Sequence, residues 1–349
     1  MEKYVNALCT HIEWEGKKHS DKIVDTVFIG GGTPSVLSEN SIKKLTTCLK
    51  NSFNIADDAE FSIEVNPGTV TKEKTSIYKS LGINRVSMGL QSVNDKELKM
   101  LGRIHTFDEF KTSYNALLDG GIDNINIDIM YALPNQKTED LVKTLDSVCK
   151  FEPSHISAYC LKIEENTHFY KIKDTLCLPD EDEQYNMYLT LCAKLEKMGY
   201  EQYEISNFAK KGSRCVHNLK YWLSSEYVAF GPSAHSFVDG IRYSYKGDIN
   251  EYVSSIKRGE EPIKISEAEH TLTEDEKIDE YVMLRLRLAD GVDETEFFLR
   301  FGTSFIKRYP KLEKYEKYGY VVNKNGKYSF TTKGFFVSNY ILSDILENI

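Results

Sequence analysis

The feature that most restricts the fold of this chain is an alternation of short β-rich runs with helical stretches over its first two-thirds. The runs are Thr26–Ile29, Phe61–Val65, Arg85–Met88, Asn126–Ile129, His155–Cys160 and Gln202–Ile205. Such a rhythm predicts parallel strands joined by crossover helices, an α/β architecture. The helix boundaries carry their own signals. Thr106-Phe107-Asp108-Glu109 reads as a capping box with Gly120-Gly121 as the stop, Asn94 and Glu97 read as a similar start, and Gly199 closes the stretch Asp182–Met198. Six βα-type units are expected. A closed barrel, a partial barrel and an open doubly wound sheet all satisfy the pattern, and in all three ligands gather at the carboxyl ends of the strands.

After about Asn207 the rhythm is lost. An acidic, polar segment, Glu260–Lys277, precedes a helical region and a hairpin over Gly319–Phe330 with its turn at Asn325-Gly326. Helices followed by a hairpin suit a winged helix, and Lys307–Lys333 holds eight Lys/Arg against two Glu. The net charge of -9 nevertheless argues against a nucleic-acid partner, and the basic run reads as a solvated face. No apolar run approaches the ~20 residues that span a bilayer, and the first residues are too polar for a secretory signal, so a cytoplasmic location is expected. The seven cysteines, Cys9, Cys48, Cys149, Cys160, Cys177, Cys192 and Cys215, match no local metal motif and fit reduced thiols.

The strand ends hold the chemistry. Gly30-Gly31-Gly32-Thr33-Pro34 directly follows the first run, and consecutive glycines let the backbone approach a ligand with its N–H and C=O groups free. Its spacing fits neither the dinucleotide fingerprint nor the P-loop. Glu64 stands inside a β-rich strand, where an unpaired charge would be costly. Gln91 ends the third run, Arg103 follows in Met-Leu-Gly-Arg-Ile-His, and Asp128 lies in the fourth. Two acids, an amide and a guanidinium are expected on one face. An internal ion pair of Arg103 with Glu64 or Asp128 is the plain structural alternative.

The phrases VFIGGGTPSVLS, FSIEVNPG, RVSMGLQSVNDKELKMLGRIHT, NINIDIMYALPNQ and FGPSAHSF together resemble the oxygen-independent coproporphyrinogen III oxidase-like group of radical S-adenosylmethionine (SAM) proteins, over most of Val27–Phe237. The resemblance implies that Gly31, Gly32 and Thr33 contact the methionine part of SAM, and that Glu64, Gln91, Arg103 and Asp128 hold its amino acid and ribose groups. Ala158 and His235 are weaker assignments. A further phrase, Cys215-Val-His217-Asn218-Leu-Lys-Tyr221-Trp222, looks like the HNxxYW signature of the heme chaperone branch of that group. Histidine is a common axial ligand of heme iron, and Tyr221 or Trp222 offers a flat face to a porphyrin. The plain alternative is that His217 and Trp222 tie the tail to the barrel rim.

Members of the group carry CxxxCxxC after the first barrel strand, where three thiolates bind a [4Fe–4S] cluster. Here the two cysteines nearest in sequence, Cys149 and Cys160, are eleven residues apart. Glu2–Trp14 resembles the helix that follows the cluster loop. The first strand and its loop are therefore expected to be missing together, through a start placed too late, a trimmed N-terminus or a cluster-free paralogue. The expected organisation is a partial radical SAM barrel over 1–206, a connecting segment with HNxxYW and the last barrel strand over 207–265, and a smaller α+β module over 266–349. The expected function is heme handling: heme and SAM as ligands, a hemoprotein as recipient, membrane association left open, and no radical chemistry by the chain as it stands. The alternatives are a porphyrinogen-decarboxylating enzyme and a cluster-free nucleotide-binding module.

Overall fold

The structure, a computed structural model, describes residues 1–266 and 273–346. In chain order its first elements are α1 (Glu2–Lys18), β1 (Ile23–Ile29), α2 (Glu39–Ser52), β2 (Asn54–Val65), α3 (Lys72–Ser80), β3 (Arg85–Gln91), α4 (Asp95–Met100), α5 (Phe107–Asp119), β4 (Ile125–Tyr131), α6 (Thr138–Cys149) and β5 (His155–Cys160). There follow α7 (His168–Lys171), α8 (Glu181–Lys197), β6 (Glu201–Gln202), β7 (Asn207–Ala209), α9 (Val216–Trp222), β8 (His235–Val238), β9 (Ile241–Tyr245), α10 (Ile249–Lys257) and β10 (Lys264–Ser266). The first five expected strands are all present. β3 is buried at every position, as strands covered on both faces are.

The chain divides into two compact units. One comprises Met1–Ser87, Ser113–Asp123 and the residues from Val216 to β10; the other comprises Met88–Thr112, Asn124–Cys215 and the residues from Thr273 onward. In the first unit β1 pairs in parallel with β2, Thr26–Ile29 lying opposite Glu60–Ile63 after a register shift between Val24 and Thr26. α1 packs on α2 and α10, and β8, β9 and β10 form an antiparallel meander. His11 of α1 is the polar centre of this packing. Its Nδ1 hydrogen-bonds Tyr252 of α10 at 2.8 Å and its Nε2 hydrogen-bonds Tyr245 of β9 at 3.0 Å.

In the second unit β4 and β5 pair in parallel, Asn126 opposite His155 through to Tyr131 opposite Cys160. The sixth expected strand, Gln202–Ile205, is not a parallel strand. β6 stops at Gln202, and β7 runs antiparallel to both β6 and β5. The cause is Glu204. It is buried, so its carboxyl must find donors, and it accepts the Ser206 N–H at 3.2 Å, which requires a turn where the strand would have continued. Burial pushes its pKa up to about 7.

The helix signals hold at Thr106, where the reciprocal Thr106–Glu109 bonds of 2.8 and 3.3 Å form, and at Gly121 and Gly199, whose φ values are +85° and +86°. The Asn94 start is corrected in one respect. Asn94 caps α4 by accepting the Lys96 N–H, but Glu97 turns inward to Ser92 and Gln136 rather than closing a capping box. The expected acidic segment Glu260–Lys277 falls partly outside the described residues.

Near the C-terminus lie α11 (Glu274–Arg285), β11 (Val292–Asp293), α12 (Glu294–Phe301), α13 (Phe305–Arg308), α14 (Leu312–Lys317), β12 (Val321–Lys324), β13 (Lys327–Phe330), α15 (Thr332–Phe336) and α16 (Ser338–Ile345). The hairpin turns at Asn325-Gly326, both with positive φ, as a tight two-residue turn demands. The basic run is answered by acids: Arg308 meets Asp275 at 2.9 Å, and Lys311 and Lys314 approach Asp344 at 3.7 and 3.6 Å. No helix among the described residues is long and apolar enough to cross a membrane.

Burial lowers the His11 pKa to about 4. As pH falls below the ordinary value near 6.5, the unfolded chain takes up a proton that the folded chain refuses, so stability falls with falling pH until about 4. The His11 share of this loss between pH 7 and pH 4.5 is on the order of 2–3 kcal/mol, read by urea unfolding as the difference in slope between the parent chain and a His11 variant. A His11→Gln variant, less stable at pH 7, is expected to show a shallower slope over that window.

Candidate functional site

The glycine turn is built by β1 and β2 of the first unit. The pairing of Ile29 with Ile63 brings Gly31 beside Glu64, and the Gly31 N–H donates to Glu64 Oε2 at 3.1 Å. Gly31 has φ +90°, which a side chain tolerates poorly, and a Cβ at Gly31 or Gly32 would meet nothing within 4 Å. The turn is thus an open backbone cradle. At Gly30 the reason for glycine differs, because a Cβ there would lie 2.9 Å from the Glu64 carboxyl. Thr33 Oγ1 accepts from Asn66 Nδ2 at 3.2 Å, and the Asn66 N–H donates to Ser35 Oγ at 3.1 Å, pinning the far end of the turn. Asn66 and Ser35 are site-building residues that sequence reasoning missed, although Asn66 stands within the quoted phrase FSIEVNPG.

Gln91, Arg103 and Asp128 belong to the second unit. Gln91 ends β3 with φ +73° and is buried, a backbone strain that persists only where neighbours hold it. Those neighbours are His105, whose Nε2–H donates to Leu90 O at 3.2 Å, and Ser92, which hydrogen-bonds the buried Glu97. Burial raises the Glu97 pKa and lowers that of His105. The His105 bond also tethers the segment bearing the half-buried Arg103 to the end of β3. Asp128 is half-buried on β4, and its Oδ1 accepts from Asn126 Nδ2 at 2.7 Å. Of the weaker assignments, Ala158 is buried in β5 with its N–H on Ser206 O, and His235 is exposed at the head of β8.

The HNxxYW phrase forms α9 in the first unit. The Val216 and His217 N–H groups donate to the two oxygens of Glu60 at 2.9 and 3.0 Å, so a β2 carboxylate binds the positive end of the helix. Lys220 pairs with Asp25 of β1. The His217 ring stacks on Phe28 at 5.1 Å, its Nδ1 hydrogen-bonds Thr26 Oγ1 at 2.9 Å, and its Nε2 hydrogen-bonds the Tyr221 hydroxyl at 2.9 Å. Burial lowers its pKa to about 4, so the ring is neutral at physiological pH. Trp222 is half-buried at the end of the helix. His217 and Tyr221 help line a cavity of about 460 Å³, walled by β1, by Leu8 and Leu49, and by Tyr227 and Phe230. The cavity runs along β1, no residue of which is fully buried despite the apolar sequence Ile-Val-Asp-Thr-Val-Phe-Ile.

Residues 12–148 match the model of the radical SAM superfamily, and residues 272–337 match that of the HemN C-terminal domain. The chain superposes on coproporphyrinogen III oxidase (HemN) from Escherichia coli with a TM-score of 0.85 at 21% identity, covering 100% of this chain and 83% of that one. The fold is therefore that of a radical SAM protein, α/β with a partial barrel of mostly parallel strands and a smaller C-terminal module. The chain is 33% identical to the heme chaperone HemW of Bacillus subtilis, over 100% of its own length and 92% of the relative's. It is 32% identical to the heme chaperone HemW of Escherichia coli, over 97% and 88%. The chain belongs to the HemW heme chaperone family.

The donor set can be weighed against the cofactors the family implies. The cradle at Gly31 and Gly32, with Glu64 beside it, fits the amino acid end of SAM. An iron–sulfur cluster does not fit the residues present. Among the described residues no three His, Cys, Asp or Glu side chains are grouped to hold a metal ion. Burial pushes Cys48 and Cys192 up to about 12 and Cys149 to about 11, so each is a protonated thiol at physiological pH.

Glu60→Ala is expected to leave two amides of α9 without their carboxylate. Hydrogen exchange in Val216–Trp222 should accelerate at least tenfold, and global stability should fall by about 1–2 kcal/mol.

Proposed function

We propose that the protein binds heme and passes it to a hemoprotein, with His217 as the residue that meets the iron. The observation that carries this reading is the state of His217: a neutral imidazole, oriented by Thr26 and Phe28, with its Nε2 held by one hydroxyl beside an apolar, aromatic-lined cavity. Heme iron accepts a neutral imidazole nitrogen as an axial ligand. Tyr221 must release Nε2 for this, and its side chain is 41% exposed, so it can swing outward without opening the core. Phe28 then keeps the ring in place. Tyr221 and Trp222 are the aromatic faces assigned to the porphyrin.

The second proposed ligand is SAM. Gly31, Gly32 and Thr33 are assigned to its methionine part, and Glu64, Gln91, Arg103 and Asp128 to its amino acid and ribose groups. The support is the family resemblance together with the open glycine cradle and the Gly31–Glu64 bond. These residues bind and orient; no residue of the chain is assigned a catalytic step.

Hemin titration followed in the Soret region tests the heme reading. A saturable shift is expected at pH 7. It should be lost in His217→Ala and tighter in Tyr221→Phe, which frees Nε2. Protonation of His217 removes the ligand lone pair, so the shift should persist down to about pH 5 and fade near pH 4. No shift in the parent chain would overturn heme binding, and an unchanged shift in His217→Ala would overturn the ligand assignment.

A further inference from the structure

The second unit contains a buried polar chain that ends on Asp128. Asn126 lies opposite His155 and Asp128 opposite Ser157, and side chains two residues apart share a face of a strand, so all four stand on the same face of the β4–β5 pair. Asn126, His155, Ser157 and Tyr203 are each at most 2% exposed, whereas Asp128 is half-buried. Asp128 is thus the member of the chain that reaches toward solvent.

The hydrogen bonds have a direction that chemistry alone assigns. The Asp128 carboxylate can only accept, so the 2.7 Å contact with Asn126 comes from the amide Nδ2–H. The Asn126 oxygen then faces His155 Nδ1 at 2.6 Å and Ser157 Oγ at 3.1 Å, and both must donate to it. His155 therefore carries its proton on Nδ1. A wholly buried imidazole is favoured as the neutral form, which leaves Nε2 to accept the Tyr203 hydroxyl hydrogen at 2.8 Å. Tyr203 Oη in turn receives the Cys215 N–H at 3.3 Å. Every donor points the same way: Cys215 to Tyr203, Tyr203 to His155, His155 to Asn126, Asn126 to Asp128. Aligned bonds of this kind polarise one another, and the last donor is the strengthened one.

We propose that Tyr203, His155 and Asn126 are positioning residues that fix the rotamer of Asp128 and stabilise its ionised form for a ligand bearing hydroxyl donors, such as the ribose of a nucleotide. The inference rests on the reading that Asp128 contacts a nucleotide, and it goes beyond that reading by assigning the contact's strength to a residue 75 positions away in sequence, Tyr203. The device costs little backbone strain, because strand pairing sets the spacing of Asn126 and His155 and only Tyr203 comes from the turn after β6. That turn is the one Glu204 forces. The broken sixth strand is what delivers the tyrosine.

The experiment is a double-mutant cycle on the full chain, with S-adenosylhomocysteine as the probe and calorimetry as the readout. Tyr203→Phe is expected to weaken binding about 3–10-fold when Asp128 is present and less than twofold in an Asp128→Asn background. A purely structural tyrosine would give the same loss in both, and that result, or no loss in either, overturns the inference while leaving the nucleotide reading intact. Binding indifferent to Asp128→Asn, or absent in the parent chain, overturns the nucleotide reading and the inference together. A second measurement needs neither nucleotide nor variant: nitrogen-15 resonances of His155 should show a protonated Nδ1 and an unprotonated Nε2 from pH 6 to 8. The opposite tautomer overturns the chain of donors.

Discussion

Four rungs of parallel pairing, Thr26–Ile29 against Glu60–Ile63, set the geometry on which both candidate sites of the first unit depend. At one end of this ladder Glu60 projects from β2 and binds the two amides that start α9. At the other end Glu64 receives the Gly31 N–H and holds the glycine turn. The two acids are four residues apart on one face of a strand, so a single register places them both. A slip of one residue would send each carboxylate to the opposite face and leave both the helix and the turn without an anion. The register shift between Val24 and Thr26 confines that precision to the carboxyl-terminal half of β1, where the ligands are assigned.

Much of this was legible from sequence because it is local. A strand followed by Gly-Gly-Gly-Thr-Pro, an acid inside a β-rich run and the Thr106–Glu109 capping box are all contained within a few residues. Five strands were placed correctly for that reason. The sixth was not, because the pattern of Gln202–Ile205 suits a strand while the buried Glu204 needs turn amides, and burial is a tertiary fact. Glu97 failed in the same way: its spacing from Asn94 fits a cap, but Gln136, thirty-nine residues on, offers it a buried partner. The role of Glu60 was invisible, since its partners, Val216 and His217, lie more than 150 residues downstream. His217 itself was legible as a residue type, and its neutral, doubly hydrogen-bonded state was not.

The two units handle buried histidine in related ways. The buried His11 and His155 and the half-buried His217 each have both ring nitrogens engaged, chiefly by the hydroxyls of tyrosine. A tyrosine hydroxyl can donate to or accept from an imidazole, so it satisfies whichever tautomer the other nitrogen dictates. Twenty-two tyrosines make the arrangement easy to repeat. Burial keeps His11 and His217 uncharged in the neutral range, the form that packs in a core and the form that can coordinate a metal-bearing ligand.

The open side of β1 has a consequence for how the molecule behaves in company. Among the described residues β1 stands at the edge of its sheet with no residue fully buried, and a strand edge is where an extended polypeptide can add. Strand addition there would bear on ligand binding, because β1 is also a wall of the cavity beside His217.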